Sequence, residues 1–273
     1  METIAFDLAK PYAIAPEESA QYRWDGHIHL RGVALAEEIE HFRPLIAGLV
    51  DEIAAARDIQ VKLDDESPLF LQVTNVWRKS EAIREFILAK RFARIAAELM
   101  GVGGVRLYHD QALIKEPGGH PSPWHKDHYG WPLATHHSIK MWLALTDVPV
   151  EMGAMCFATR THHGGLFPEI PMNNNSVGLF DRIIHERKIP TQTYSMKAGD
   201  ATFHSGELLH STFGNSTTRR REVIAIIYFA DGTRVMDADN EHRRIDMEEF
   251  FPDLKAGDLA ASVLNPLLYE STQ

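Results

Sequence analysis

The stretch Val105–Asp147, VRLYHDQALIKEPGGHPSPWHKDHYGWPLATHHSIKMWLALTD, decides the fold. It divides into three runs rich in β-branched and aromatic residues, Val105–Glu116, Pro123–Tyr129 and Ser138–Asp147, separated by Gly- and Pro-containing breaks. Runs of that length between such breaks read as strands and turns. The pattern continues downstream in Gly153–Ala158, Gln192–Met196, Ala201–His204, Leu208–Phe213 and Glu222–Ala230. Short strands at this spacing predict a mainly β sandwich or barrel with Greek-key links. Upstream the period changes. Ile39, Phe42, Ile46, Leu49 and Ile53 recur at helical spacing in 34–57, with a bend expected at Pro44. Ile83, Phe86, Ile87, Phe92, Ile95 and Leu99 mark a second helix over Ser80–Met100, stopped by Gly101. Both are expected to flank one side of a sheet. A short helix near Val177–Lys188 interrupts the strands, and the tail from Asp237 is expected to pack along the surface. The absence of repeats and linkers predicts one domain over 1–273, with a helical part at about 34–101, a β core at about 105–232 and a tail at 233–273.

The chain has 273 residues, 44% hydrophobic and 24% charged, which excludes fibrous and wholly disordered classes. Its 28 basic against 38 acidic residues leave a net charge of −10, which argues against nucleic-acid or anionic-membrane partners. A lone cysteine, Cys156, forms no internal disulfide and predicts a reducing, cytoplasmic compartment. The start lacks the pattern of a signal peptide, and no apolar run approaches the about 20 residues of a membrane helix. The chain also carries 15 histidines, many of them between His109 and His210, and this points the search towards a metal.

Within WHKDHYGW, His125 and Asp127 are two apart, so on an extended strand both side chains share a face. Imidazole nitrogen and carboxylate oxygen suit a first-row metal, and His210 in GDATFHSGELLHSTFGN completes a two-His, one-carboxylate facial set of the non-haem Fe(II) type. Three protein ligands leave the opposite face for a co-substrate and O2. A bidentate keto acid needs a cation at its far carboxylate, and Arg221, on the next strand, offers a two-pronged guanidinium. Alternation places Arg219, Arg221, Val223 and Ala225 on one face and Arg220 and Glu222 on the other. An HxD spacing alone is common; the ordered set of His125, Asp127, His210 and Arg221 is not.

These residues resemble the phytanoyl-CoA dioxygenase-like branch of the Fe(II)/2-oxoglutarate-dependent oxygenases. The likeness rests on PSPWHKDHYGWP at Pro121–Pro132, KMWLALTDV with Trp142, MGAMCFATRTHHGG at Met152–Gly165, KAGDATFHSGELLHSTFGNS and Arg221, and on the terminal NPLLY ending at Tyr269. The resemblance implies a double-stranded β-helix (jelly-roll, cupin-like) core with flanking helices, and His125, Asp127 and His210 as iron ligands. It implies Arg221 and Thr212 on the distal carboxylate of 2-oxoglutarate, with Trp142 and Gln111 lining the co-substrate pocket. It also implies hydroxylation of a C–H bond as the reaction, using O2 and releasing succinate and CO2. Members often carry glutamine where this chain has Lys126. An Ala or Gly at 127 would open a site for halide, so Asp127 argues against a halogenase.

Around the ligands, Lys126, His128, Tyr129, Trp131, Arg160 and His162 are candidate substrate contacts, against an ordinary reading of rim packing and solvated loops. Lys126, Arg160, His162 and His163 give this mouth a positive character and suggest a small anionic or zwitterionic substrate. His136 and His137 read as surface residues, Gly101–Gly104 as a turn, and Cys156 as a buried small hydrophobe. Two other classes compete. A zinc hydrolase or lyase on the same ligands would turn over without O2 or keto acid and leave Arg221 idle. A non-catalytic sensor would bind metal or keto acid and consume neither.

Overall fold

The computed structural model describes residues 6–56, 61–64, 67–163 and 174–271. Among these residues the strands form two antiparallel sheets. The larger runs β1 (His27–Leu30), β9 (Ala201–Ser205), β6 (Ser138–Ala144), β11 (Arg221–Ala230), β4 (Gly104–Lys115), β3 (Ser67–Thr74) and β2 (Val61–Asp64), with β12 (Leu267–Glu270) also paired to β4. The smaller runs β5 (Ser122–His125), β10 (His210–Thr212), β7 (Met155–Ala158) and β8 (Thr191–Thr193). From β4 to β11 the chain passes back and forth between the sheets, which is the winding of a double-stranded β-helix. The fold is therefore mainly β with flanking helices, as expected.

Strand β11, REVIAIIYFA, is apolar on both faces because both are covered. Val223 and Ala225 pack between the sheets with Leu113, Trp142, Met155 and Phe157. Ile224, Ile226 and Tyr228 face the opposite way, against the helices, with Phe42, Ile46, Phe86 and Phe92. These come from α2 (Ala36–Ala55), α3 (Glu81–Ile87) and α4 (Lys90–Met100), with α1 (Pro16–Asp25) ahead of them. The single helix expected over Ser80–Met100 is two helices. Ala89, with φ −55° and ψ 123°, leaves the helical region, and the break sets Arg91 on the first turn of α4. Gly101 ends α4 in the left-handed region at φ 71°, so the Gly101–Gly104 segment begins as the expected turn.

Arg91 is buried and donates to Glu38 at 2.7 and 2.9 Å and to the carbonyls of Asp7, Lys10 and Val33. Glu38→Ala strands this guanidinium, and the expected cost is about 3–5 kcal/mol. A urea denaturation midpoint lowered at constant m checks it.

Helix α5 (Asn174–Glu186) lies close to its expected place. The tail does more than lie on the surface: α6 (Glu241–Phe250) brings Phe250, followed by Phe251, into a core cluster with Tyr108, Trp131 and Phe229. Among the described residues no helix is long and apolar enough to cross a membrane.

Candidate metal centre

His125 ends β5 and His210 opens β10. The two are Cα partners across the small sheet, with rings 4.2 Å apart. The strand expected through Tyr129 stops at His125, and Asp127 begins a 3-10 turn over Asp127–Tyr129. A long-range bond and a turn bond replace the ladder there: His128 N–H donates to Gly206 O at 2.9 Å and Gly130 N–H to Asp127 O at 3.1 Å. Lys126 between them stays extended, at φ −110° and ψ 130°, so His125 and Asp127 still point to one side.

One ligand atom from each of His125, Asp127 and His210 lies within 4.8 Å of the others. His125 Nε2 is 3.8 Å and His210 Nε2 3.7 Å from the Asp127 carboxylate. His125 Nδ1 sits 2.8 Å from Pro123 O, and His210 Nδ1 2.9 Å from Leu208 O. A carbonyl only accepts, so both Nδ1 atoms carry the proton and both Nε2 lone pairs face the centre. Burial lowers the basicity of both imidazoles, and His210 falls well below its ordinary value. Both are therefore neutral, as metal ligands must be. Burial alone would raise the Asp127 carboxyl. The ammonium of Lys140, the largest opposing influence, outweighs it and holds the carboxyl well below the usual range. Two neutral imidazoles and one carboxylate on one side fit a first-row divalent ion such as Fe(II).

Two residues at this centre were not singled out from the sequence. Lys140 Nζ lies 3.0 Å from Asp127 Oδ2, and His204 Nε2 lies 3.5 Å from the same oxygen. They face each other across β6 and β9. The available signal was a charge in the otherwise apolar run SIKMWLA.

Arg221 is 1% exposed and lies beside the inter-sheet core. Its guanidinium sits 5.1 Å from the Trp142 ring and 5.7 Å from Phe70, and Nη1 donates to Gly153 O at 2.7 Å. Its Nε is buried without a partner. Among the described residues no carboxylate pairs with it, and burial brings its pKa down to about 9. A buried cation with an orphaned N–H is the arrangement an exogenous anion would complete. Gln111 lies opposite Ala225, and Ala225 opposite Trp142, so Gln111 shares the inner face. Arg220 and Glu222 point the other way, ion-paired with each other at 2.7 Å.

The candidate substrate contacts scatter. Lys126 Nζ is 3.8 Å from Glu207, and His128 is buried 3.5 Å from the same carboxylate. Tyr129 packs its ring against His242. Trp131 belongs to the core cluster of Tyr108 and Phe251 rather than to an open rim. Arg160 pairs with Asp25 at 3.3 Å and stacks over Trp24, while His162 and His163 lie against the carbonyls of Arg23 and Trp24. This loop therefore docks on α1, an element the periodicity did not reveal. Cys156 is buried on β7, where burial pushes its thiol up, as expected of an inert residue.

The family model for phytanoyl-CoA dioxygenase (PhyH) matches residues 22–223. Among solved structures, the fold is shared with the epimerase SnoN from nogalamycin biosynthesis, in complex with Fe3+, alpha-ketoglutarate and nogalamycin RO. That match has a TM-score of 0.75 and 26% identity, and covers 93% of this chain and 98% of that one. The non-haem alpha-ketoglutarate-dependent carbocyclase SnoK, also from nogalamycin biosynthesis, matches at TM-score 0.76 and 23% identity, over 93% of this chain and 96% of its own. EctD from S. alaskensis, with 2-oxoglutarate and 5-hydroxyectoine, matches at TM-score 0.70 and 19% identity, over 84% and 83%. No curated protein matches the chain by sequence.

Proposed function

The chain belongs to the phytanoyl-CoA dioxygenase (PhyH) family of Fe(II)- and 2-oxoglutarate-dependent oxygenases, and from that premise we propose that it hydroxylates a C–H bond of a small molecule. The observation that carries this reading is the pairing of a three-ligand centre on the smaller sheet with a buried Arg221 on the larger one that no described carboxylate neutralises. His125, Asp127 and His210 would hold the iron, and Arg221 with Thr212 the distal carboxylate of 2-oxoglutarate. When bound, Fe(II) with 2-oxoglutarate and O2 supplies the oxidant, and 2-oxoglutarate leaves as succinate and CO2. The residues of the chain do the rest. Pro123 O and Leu208 O orient the two imidazoles, and Lys140 holds the Asp127 carboxylate ionised. Trp142 and Phe70 keep water from the guanidinium. No side chain is required to move a proton in the oxidation itself.

The substrate is proposed to be small and to carry an anionic or zwitterionic group. Support from the mouth is narrower than the sequence suggested, because Lys126 and Arg160 are committed to Glu207 and Asp25. Lys140, inside the centre, remains the basic group nearest the metal ligands. A zinc hydrolase on the same ligands leaves the buried Arg221 without a task.

The experiment is succinate release from 2-oxoglutarate under air and under nitrogen, screened over small acids and amino-acid-like compounds. Turnover that needs Fe(II), O2 and keto acid together is the expected result. Turnover with zinc alone, indifferent to O2, would overturn it.

A further inference from the structure

A line of packed rings leads from the metal centre to the edge of the two sheets. His204 meets two of the metal ligands, with Nε2 3.5 Å from Asp127 Oδ2 and its ring 4.4 Å from that of His210. Phe157, on β7, lies 5.4 Å from His204 and stacks on His27 at 4.7 Å and 11°. His27, on β1, is the Cα partner of His204, and all three side chains are buried. β1 and β8 are edge strands of the larger and smaller sheets, and the residue that follows β8 is Tyr194, which is only partly buried. Its ring lies 6.2 Å from Phe157 and 5.9 Å from His27. Electron transfer falls off steeply across empty gaps and less so through touching groups, and here the rings are in packed contact.

Tyr194 also has a place for its proton. Its hydroxyl is 3.2 Å from His27 Nδ1, and His27 Nε2 is 3.0 Å from Thr159 Oγ1. In the Nε2–H tautomer the imidazole donates to Thr159, and its Nδ1 lone pair accepts the phenol O–H. Burial pushes the phenol up to about 12 and brings the imidazole down to about 4, so at neutral pH the first is protonated and the second is uncharged. A phenol gives up an electron most readily when its proton can leave with it. The rings of Phe157 and the neutral imidazoles are harder to oxidise, so they carry the electron without holding the charge. Tyr129, in the turn that begins at Asp127, lies off this line, with its ring against His242.

We propose that Tyr194 and His27 form a redox outlet that quenches the oxidant formed at the metal centre when 2-oxoglutarate is consumed with no substrate bound. The inference rests on the oxygenase reading above. One electron passes from Tyr194 through Phe157 and His204 to the centre, whose oxidant is reduced by one electron, and the phenol proton moves to His27 Nδ1. The centre gains one electron, His27 gains one proton, and a neutral tyrosyl radical is left at the sheet edge. A one-electron reductant in solution, such as ascorbate, restores the phenol with the proton returned from His27.

The test loads the full chain anaerobically with Fe(II) and 2-oxoglutarate, records the charge-transfer band, and then admits O2 without substrate. Freeze-quenched EPR and succinate are read on the same samples. A tyrosyl radical that narrows when ring-deuterated tyrosine is incorporated is expected in the wild type. It is lost in Tyr194→Phe, which keeps the ring and removes the O–H, and Tyr129→Phe retains it. His27→Phe, which keeps a ring on Phe157 and removes the proton acceptor, also loses it, and reports independently should Tyr194→Phe fail to fold. Without the outlet, peptide mapping is expected to find more oxygen inserted into residues around the centre for the same succinate formed. A wild type that shows the band but no succinate, or succinate but no tyrosyl radical, overturns the outlet alone. So does a radical that survives Tyr194→Phe or is lost in Tyr129→Phe. A wild type with no charge-transfer band overturns the oxygenase reading and the outlet together.

Discussion

Asp127→Ala is expected to abolish both iron retention and succinate formation. Removing the carboxylate leaves two neutral imidazoles beside the ammonium of Lys140, 3.0 Å from where the carboxylate oxygen stood. A divalent cation then meets a net positive site with two nitrogen donors. The loss should exceed the about 10- to 100-fold typical of removing an outer partner of a metal ligand, because a ligand itself is gone. Metal content after desalting, measured beside a thermal melt, checks it. Iron held at wild-type stoichiometry would count against Asp127 as a ligand.

The second large effect is expected at Arg221. Arg221→Met removes a guanidinium that no described carboxylate neutralises, so the apo fold should lose little and could gain stability, as replacements of buried charge by apolar groups often do. Binding of 2-oxoglutarate should weaken by roughly 2–5 kcal/mol, the usual cost of deleting one partner of a buried charge pair. A melt that holds while the KM for 2-oxoglutarate rises steeply is the expected signature. A variant that melts early with an unchanged KM would assign Arg221 a structural task instead.

The same residue gives a pH dependence with a definite sign. Burial brings the Arg221 pKa down to about 9 in the folded chain. Above that pH the unfolded chain binds more protons at this group than the folded one, so its contribution to the stability of the apo fold rises with pH. Co-substrate affinity runs the other way. The carboxylate needs the charged guanidinium, so the Kd for 2-oxoglutarate should weaken as pH passes upward through about 9. Titrating the charge-transfer band from neutral to alkaline pH reads this directly, and a flat profile would contradict it.

Local chain geometry made the main residues of the centre legible. Residues 125 and 127 share a side because the backbone between them is extended, whether or not a strand continues, and Arg221 faces inward because strands alternate. Long-range neighbours were not legible. Lys140, His204 and Lys115 are single charges or imidazoles in apolar runs, and nothing in their spacing says which strand each will face. Arg160 and His162 follow β7 closely, which suggested a pocket mouth, yet α1 captures both through Asp25 and Arg23 O. Trp131 stood beside the ligands in sequence and was drawn into the core by α6 and its following Phe251.

Most of the short strands between Val105 and Ala230, the side shared by His125 and Asp127 and the inward face of Arg221 were legible in the sequence, because side-chain alternation and turn residues act over a few positions, whereas β1, β2, β3 and β12 were not. The tertiary structure decided which strands became neighbours, and with that the environment of each charge. Sheet pairing set Lys115 against Arg221 and Lys140 against His204, both beside the pocket face. Pairings between residues this far apart in the chain depend on the packing of the whole chain, since a strand's own pattern specifies its faces but not its partners.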